Sequence, residues 1–201
     1  MRLYSMPSSG NSYKVRLLLA LLGRDCEIVD VEHASEALMA AKTAGALPFG
    51  KAPVLHLDDG RMLPESNAIL CWLGEGTRFW PADAFDRARM LSWMFWEQNQ
   101  HEGVIAVRAS LNFYAANASL ATPARMEDLL IRGQALLSVM ERRLEDADWL
   151  AGDAASLADI CLYAYTHTAG SRGGFDMDRV PAVNAWLARV AALPGYAGLD
   201  D

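Results

Sequence analysis

The sequence is short of cysteine, of histidine and of net positive charge, and each shortage closes off a class of function. Three cysteines in 201 residues, Cys26, Cys71 and Cys161, lie far apart and form no CxxC. That excludes a disulfide framework and a dithiol redox motif. An odd number of thiols with no secretory signal ahead of them gives the expectation of a reduced, cytoplasmic protein. His33, His56, His101 and His167 are scattered; His101-Glu102 has no second histidine at helical spacing, so no metal site is expected. Lys and Arg number 18 against 25 Asp and Glu, a formal charge of −7, with no basic cluster. Nucleic acid is therefore not an expected partner. The leucine run from Leu17 to Leu22 ends at Gly23-Arg24-Asp25, too short to span a bilayer, and no membrane partner is expected. Gly74-Glu75-Gly76 opens no dinucleotide fingerprint, and Ala169 stands where a serine-hydrolase elbow at Gly170 to Gly174 would need its first glycine.

What is present is core-forming. Apolar residues make up 52% and charged residues 21%, as in globular proteins with a sizeable interior. Up to about residue 76 the pattern alternates. Arg2 to Ser5 reads as a strand, Ser12 to Leu22 as a helix stopped by Gly23, and Glu27 to Val31 as a second strand. Ala34 to Thr43 reads as a short helix. Pro53 to Leu57 and Arg61 to Leu63 flank Asp58-Asp59-Gly60, a hairpin signal, and Ser66 to Leu73 reads as a helix. The order is βαβ-α-ββα, a mixed four-stranded sheet covered by helices. Beyond a linker at residues 77–82 there is no convincing strand, and residues 83–201 read as an all-helical domain. Asp83 to about Ala116 is apolar on more than one face, Pro123 opens a helix at the position proline tolerates best, and another runs over 182–192.

Three short stretches stand out. Ser8, Ser9, Gly10, Asn11 and Ser12 crowd between the first strand and a leucine-rich helix, where small polar residues serve as turn and cap. "GKAPVLHLDDGRMLPESNAIL", Gly50 to Leu70, combines a Pro-Val step, a hairpin and Glu-Ser at a helix start. Ser156 and Asp159, three apart before an apolar run, form a capping-box pattern with a structural role only.

In this order and spacing, over essentially the whole chain, these stretches resemble the cytosolic glutathione transferases. The resemblance implies a thioredoxin-like first domain at residues 1–76, an all-α second domain, and glutathione as co-substrate with no metal. It places Pro53 at the family's cis-proline, so that the main chain of Val54 pairs with the peptide as an added strand would. The free N–H groups at the helix start, with the Ser66 hydroxyl, suit the carboxylate of a γ-glutamyl residue, and Glu65 suits its ammonium. Lys51 either meets the glycine carboxylate or is a solvated lysine. Counted back from Val15, Ser9 falls on the serine of theta- and delta-like classes. Asn11 falls where nu-like members carry a functional asparagine. No cysteine stands in the turn, a departure from beta- and zeta-like patterns. Tyr4 and Tyr13 remain as alternative activating groups.

The chemistry asked of that turn is modest. A thiol titrating near ~8.5 needs a shift of roughly 1.5 units, about 2 kcal/mol, to be half ionised at neutral pH. One hydroxyl donating to the anion supplies roughly 1.5–3 kcal/mol, and a helix N-terminus on the order of 0.3–1 kcal/mol. Ser9, with Asn11, is thus expected to activate the thiol as a donor. The expected activity is transfer of glutathione to a small hydrophobic electrophile, or reduction of a disulfide or peroxide; the alternatives are a non-catalytic glutathione-binding scaffold and a zeta-like isomerase. Trp96, Asn99, Gln100 and Arg108 are candidates for the electrophile's pocket, between Ser9 and the long helix, although Trp96 suits a core equally well. Met90, Trp93, Met94 and Trp96 cover more of one helix than a single core needs, so a homodimer is expected, as the resemblance also implies.

Overall fold

The structure, a computed structural model, describes residues 1–200. The chain forms β1 (Arg2–Ser5), α1 (Gly10–Leu21), β2 (Glu27–Asp30), α2 (Glu36–Thr43), β3 (Val54–His56), β4 (Met62–Pro64) and α3 (Ser66–Gly74). There follow α4 (Ala84–Trp96), α5 (Glu102–Phe113), α6 (Pro123–Leu144), α7 (Leu157–Thr166) and α8 (Pro181–Ala191). The sheet order is β2-β1-β3-β4; β1 is parallel to β2 and antiparallel to β3, and β3 is antiparallel to β4. This is the mixed sheet that the crossover and the hairpin call for. The hairpin closes where Leu57 N–H donates to Arg61 O at 2.9 Å, and Gly60 takes a φ of +86°, a conformation glycine adopts without strain.

Two compact units result, one of residues from Met1 to Thr77 together with those from Ala192 on, the other of Arg78–Ala191. In the first unit α1 is buried nearly all round: Tyr13, Val15, Leu17 and Leu18 have no exposed surface. Residues after α8 return to this helix. Tyr13 Oη donates to Ala197 O at 2.8 Å and Arg16 Nη2 to Leu199 O at 3.0 Å. Gly195, at φ +86°, packs so closely that a Cβ there would lie 2.8 Å from Ala20 O.

In the second unit, the long apolar pattern after Asp83 is not one uniform helix. Between α4 and α5 the chain makes a π-helical turn, Glu97–His101. The wider turn turns two polar residues inward, each with a partner in the unit: Cys161 Sγ donates to Glu97 Oε2 at 3.3 Å, and His101 Nε2 lies 3.1 Å from Thr166 Oγ1.

The capping box of α7 is present. Asp159 has no exposed surface and does more than cap. Its Oδ2 accepts from the Ser156 N–H at 2.8 Å and the Ser156 hydroxyl at 2.9 Å, and its Oδ1 from the Leu150 N–H at 3.0 Å and the Trp186 indole at 2.9 Å. One carboxylate thus ties the preceding loop and α8 to the start of α7. Asp159→Ala leaves four buried donors unanswered, and the expected cost is about 3 kcal/mol or more. Chemical denaturation measures it; a loss under about 1 kcal/mol would show that the ordinary net value of one hydrogen bond is all that is at stake.

Candidate functional site

The first unit brings two of the singled-out stretches together. Ser9 is the N-cap of α1 in extended conformation, φ −87° and ψ 127°, yet its side chain makes no capping bond. Its main chain is occupied: the N–H donates to Met6 O at 3.0 Å, and the carbonyl accepts from Tyr13 N–H at 2.9 Å. The hydroxyl is half-buried at a helix N-terminus. Two residues on, Asn11 Oδ1 accepts from Lys14 Nζ at 2.8 Å and from Ser66 Oγ at 3.1 Å. Because an ammonium can only donate, it fixes which end of the amide is oxygen, and the NH2 group lies on the opposite side. Ser66 opens α3, so the starts of α1 and α3 are joined by a direct bond.

That bond modifies the expected use of Ser66. Its hydroxyl proton goes to Asn11, so what an arriving carboxylate meets at α3 is the helix's own N–H groups. Glu65, just ahead, is exposed and held at φ +72°, an unusual conformation for a residue with a side chain. Lys51 is exposed as well.

The bond between Ala52 and Pro53 is cis, as the resemblance implies. Val54 differs from the expected free edge. It has no exposed surface and sits inside the ladder, opposite Tyr4 on one side and Pro64 on the other. The position open beside it is the entrance to β3, where Ala52 and Pro53 precede the strand. Neither tyrosine competes with Ser9 by position. Tyr13 Oη faces Ala197, and the Tyr4 ring lies 4.7 Å from His56 within the sheet.

In the second unit Trp96 packs edge-on against Trp93, centroids 5.3 Å apart, and lies beside His101. Asn99 and Gln100 are exposed on the π turn. Arg108 is committed elsewhere. It donates to Gly173 O at 2.7 Å and to Met126 O, and its guanidinium lies over the Phe175 ring. An open cavity of about 480 Å³ lies beside α5, lined by Gln98, Glu102, Val107, Leu111, Asn117 and Arg125 among others. None of the four residues expected to touch the electrophile lines it. Met90 and Met94, expected to help form an interface, are buried in the unit's own core.

Among the described residues no helix is long and apolar enough to cross a membrane, and no group of three or more His, Cys, Asp or Glu side chains could hold a metal ion.

Comparison with known proteins agrees with this fold. Residues 3–77 match the N-terminal domain of glutathione S-transferase and residues 126–194 its C-terminal domain. A solved glutathione S-transferase from Xanthobacter autotrophicus Py2 is 42% identical, with a TM-score of 0.90 over 98% of this chain and 96% of that one. The disulfide-bond oxidoreductase YfcG of Escherichia coli (strain K12) is 29% identical over 96% of this chain and 90% of its own. A maleylacetoacetate isomerase of Pseudomonas aeruginosa is also 29% identical, over 98% and 93%. The chain belongs to the cytosolic glutathione S-transferase family, whose members bind glutathione.

One residue of the turn's surroundings gave no signal in the sequence. Glu32, just past β2, accepts from the Ser8 hydroxyl at 2.7 Å, the Ser8 N–H at 3.0 Å and the His33 N–H at 2.7 Å. Burial pushes its carboxyl up, but the bonds from Ser8 and His33 together outweigh burial and hold it below the usual carboxylate range. With the folded value depressed, this contribution to stability is complete above the unfolded value of about 4.3 and is lost as pH falls through the folded one. An NMR titration should therefore find the Glu32 carboxyl's midpoint below the unfolded value of about 4.3, with the Ser8 amide shifting along the same curve.

Proposed function

We propose that this protein ionises the thiol of glutathione and directs the thiolate at a small apolar electrophile. The observation that carries the reading is the Ser9 hydroxyl, placed at the N-terminus of α1 and unused by that helix. Ser9 donates to the sulfur, the α1 N-terminus adds its partial positive charge, and the Asn11 NH2 group is the second donor. The thiol proton leaves to water, so no general base is needed. The γ-glutamyl carboxylate sits on the N–H groups of α3, its ammonium meets Glu65, and the cysteinyl main chain pairs at the entrance to β3, at Ala52 and Pro53. Lys51 takes the glycine carboxylate. Trp96, Asn99 and Gln100 are retained for the electrophile; Arg108, held by two carbonyls, is not.

A second reaction follows from the same thiolate. Attack on a disulfide sulfur needs the same activated glutathione, and the oxidoreductase at 29% identity favours testing it. The zeta-like isomerase reading is weaker, because the turn lacks that class's cysteine.

Ser9→Ala removes roughly 1.5–3 kcal/mol of thiolate stabilisation, which raises the bound thiol's pKa by about one to two units. Turnover of an activated aryl halide at neutral pH should fall about ten- to a hundredfold and recover as pH rises, with glutathione affinity little changed. Full activity of Ser9→Ala at every pH overturns this reading and moves attention to Asn11. Intact glutathione binding with no turnover in the unmodified protein favours the scaffold.

We also propose a homodimer. Its support is no longer Met90 and Met94 but Phe85 and Phe95, 68% and 69% exposed on α4. Light scattering at micromolar concentration should give twice the mass of one chain; a single-chain mass counts against the dimer.

A further inference from the structure

Three residues lead into Ser9, and each is gripped by a side chain from elsewhere in the first unit. Met6 N–H donates to Ser12 Oγ at 2.9 Å, and Arg16 Nη2 donates to Pro7 O at 3.0 Å. Ser12 and Arg16 lie on α1, the helix that Ser9 itself begins, so they move with it. Glu32 does not. It follows β2, which is anchored to the sheet through Val31 N–H to Ser5 O at 2.8 Å, and its carboxylate is steadied by the His33 N–H. From there it holds Ser8 at two points, main chain and hydroxyl, one on each oxygen.

Two-point holding fixes both a direction of the main chain and a side-chain rotamer. Ser8 is bonded directly to Ser9, so fixing Ser8 fixes the peptide plane from which the Ser9 side chain departs. Small errors in the placement of an activating group are costly, since hydrogen bonds weaken steeply away from good alignment. An acid suits this task better than an amide. Every group Glu32 receives, the Ser8 N–H, the Ser8 O–H and the His33 N–H, is a donor, and only a carboxylate offers acceptors on both oxygens. With three donors on it, the carboxylate also confronts an incoming thiolate with less bare charge.

We infer that Glu32 is a positioning residue for thiol activation, holding the Ser8–Ser9 turn so that the Ser9 hydroxyl meets the sulfur. The inference rests on the reading of Ser9 as the thiol's donor.

The test compares the full-length wild type with Glu32→Ala, Glu32→Gln, Ser9→Ala and the Glu32→Ala/Ser9→Ala double variant. For each, kcat, glutathione affinity, the pKa of bound glutathione from its ultraviolet thiolate absorbance, and the melting temperature are measured. Glu32→Ala should lower kcat at neutral pH on the order of tenfold and raise the bound thiol's pKa, with affinity nearly unchanged. Glu32→Gln, which keeps one acceptor, should fall between. On the Ser9→Ala background, removing Glu32 should change neither kcat nor the thiol pKa further, because the group it positions is gone. A lower melting temperature with an unmoved thiol pKa would make Glu32 a brace only and overturn the inference. An equal loss on both backgrounds would overturn it too, since Glu32 would then act through something other than Ser9. Full activity of Ser9→Ala alone is the separate signature that the reading of Ser9 has failed. Should Glu32→Ala not fold, Ser8→Ala removes only the hydroxyl arm; it should raise the thiol pKa by a smaller amount, and no rise counts against the inference.

Discussion

Asn11 Oδ1 is the joint between the two helix starts of the first unit. It receives Ser66 from the start of α3 and Lys14 from one turn further along α1. The two helices pack together, and this bond brings their N-termini side by side. Each helix start carries roughly half a positive charge in unsatisfied N–H groups. Two such ends are a natural seat for a ligand with a carboxylate at one place and a sulfur anion at another. Ser66 is buried, so its bond to Asn11 is sheltered from competing water. Neither partner is near the other in sequence, and the joint exists only once the sheet has placed both helices.

The energetic demand that the proposed thiol activation places on this site is small enough for the groups present. Half-ionising a thiol at neutral pH takes about 2 kcal/mol, within reach of one well-aligned hydroxyl and a helix end. What matters is alignment rather than the number of groups. This explains why so many side chains around Ser9 are engaged in holding main chain: Ser12 on Met6, Arg16 on Pro7, Glu32 on Ser8. Met6 to Ser8 have little regular structure to hold them, and hydrogen bonds from neighbouring elements replace it.

Much of this was legible in the residues. The strands at Arg2, Glu27, Val54 and Met62 showed through alternation and the Asp-Gly turn, and the α7 start through the Ser156–Asp159 spacing, because these signals are local. The crowding of Ser9 and Asn11 marked the turn. The Ser66–Asn11 bond was not legible, since it spans 55 positions and nothing local requires it. Glu32 was invisible for the same reason; an acid after a strand is ordinary until its partner is seen. The π turn also escaped, because an apolar pattern running through Trp93 and Trp96 does not register one extra residue per turn. Val54 misled in another way. Its place beside Pro53 suggested an open edge, whereas the register puts it between two strands and leaves the opening to the residues before it.

The return of the residues after α8 to α1 has a consequence for how the molecule is made. The first unit is drawn from both sides of the helical unit in sequence, with Ala197 and Leu199 bonded to Tyr13 and Arg16. On the ribosome, its sheet and first three helices emerge early, while the segment that covers Tyr13 is synthesised only after residues 78–191. Arg16 reaches at once toward Pro7, two residues ahead of Ser9, and toward that late segment. Until that segment has been made, the guanidinium has only one of these two carbonyls to hold. The surroundings of the turn are thereby completed only once the segment after α8 has been made.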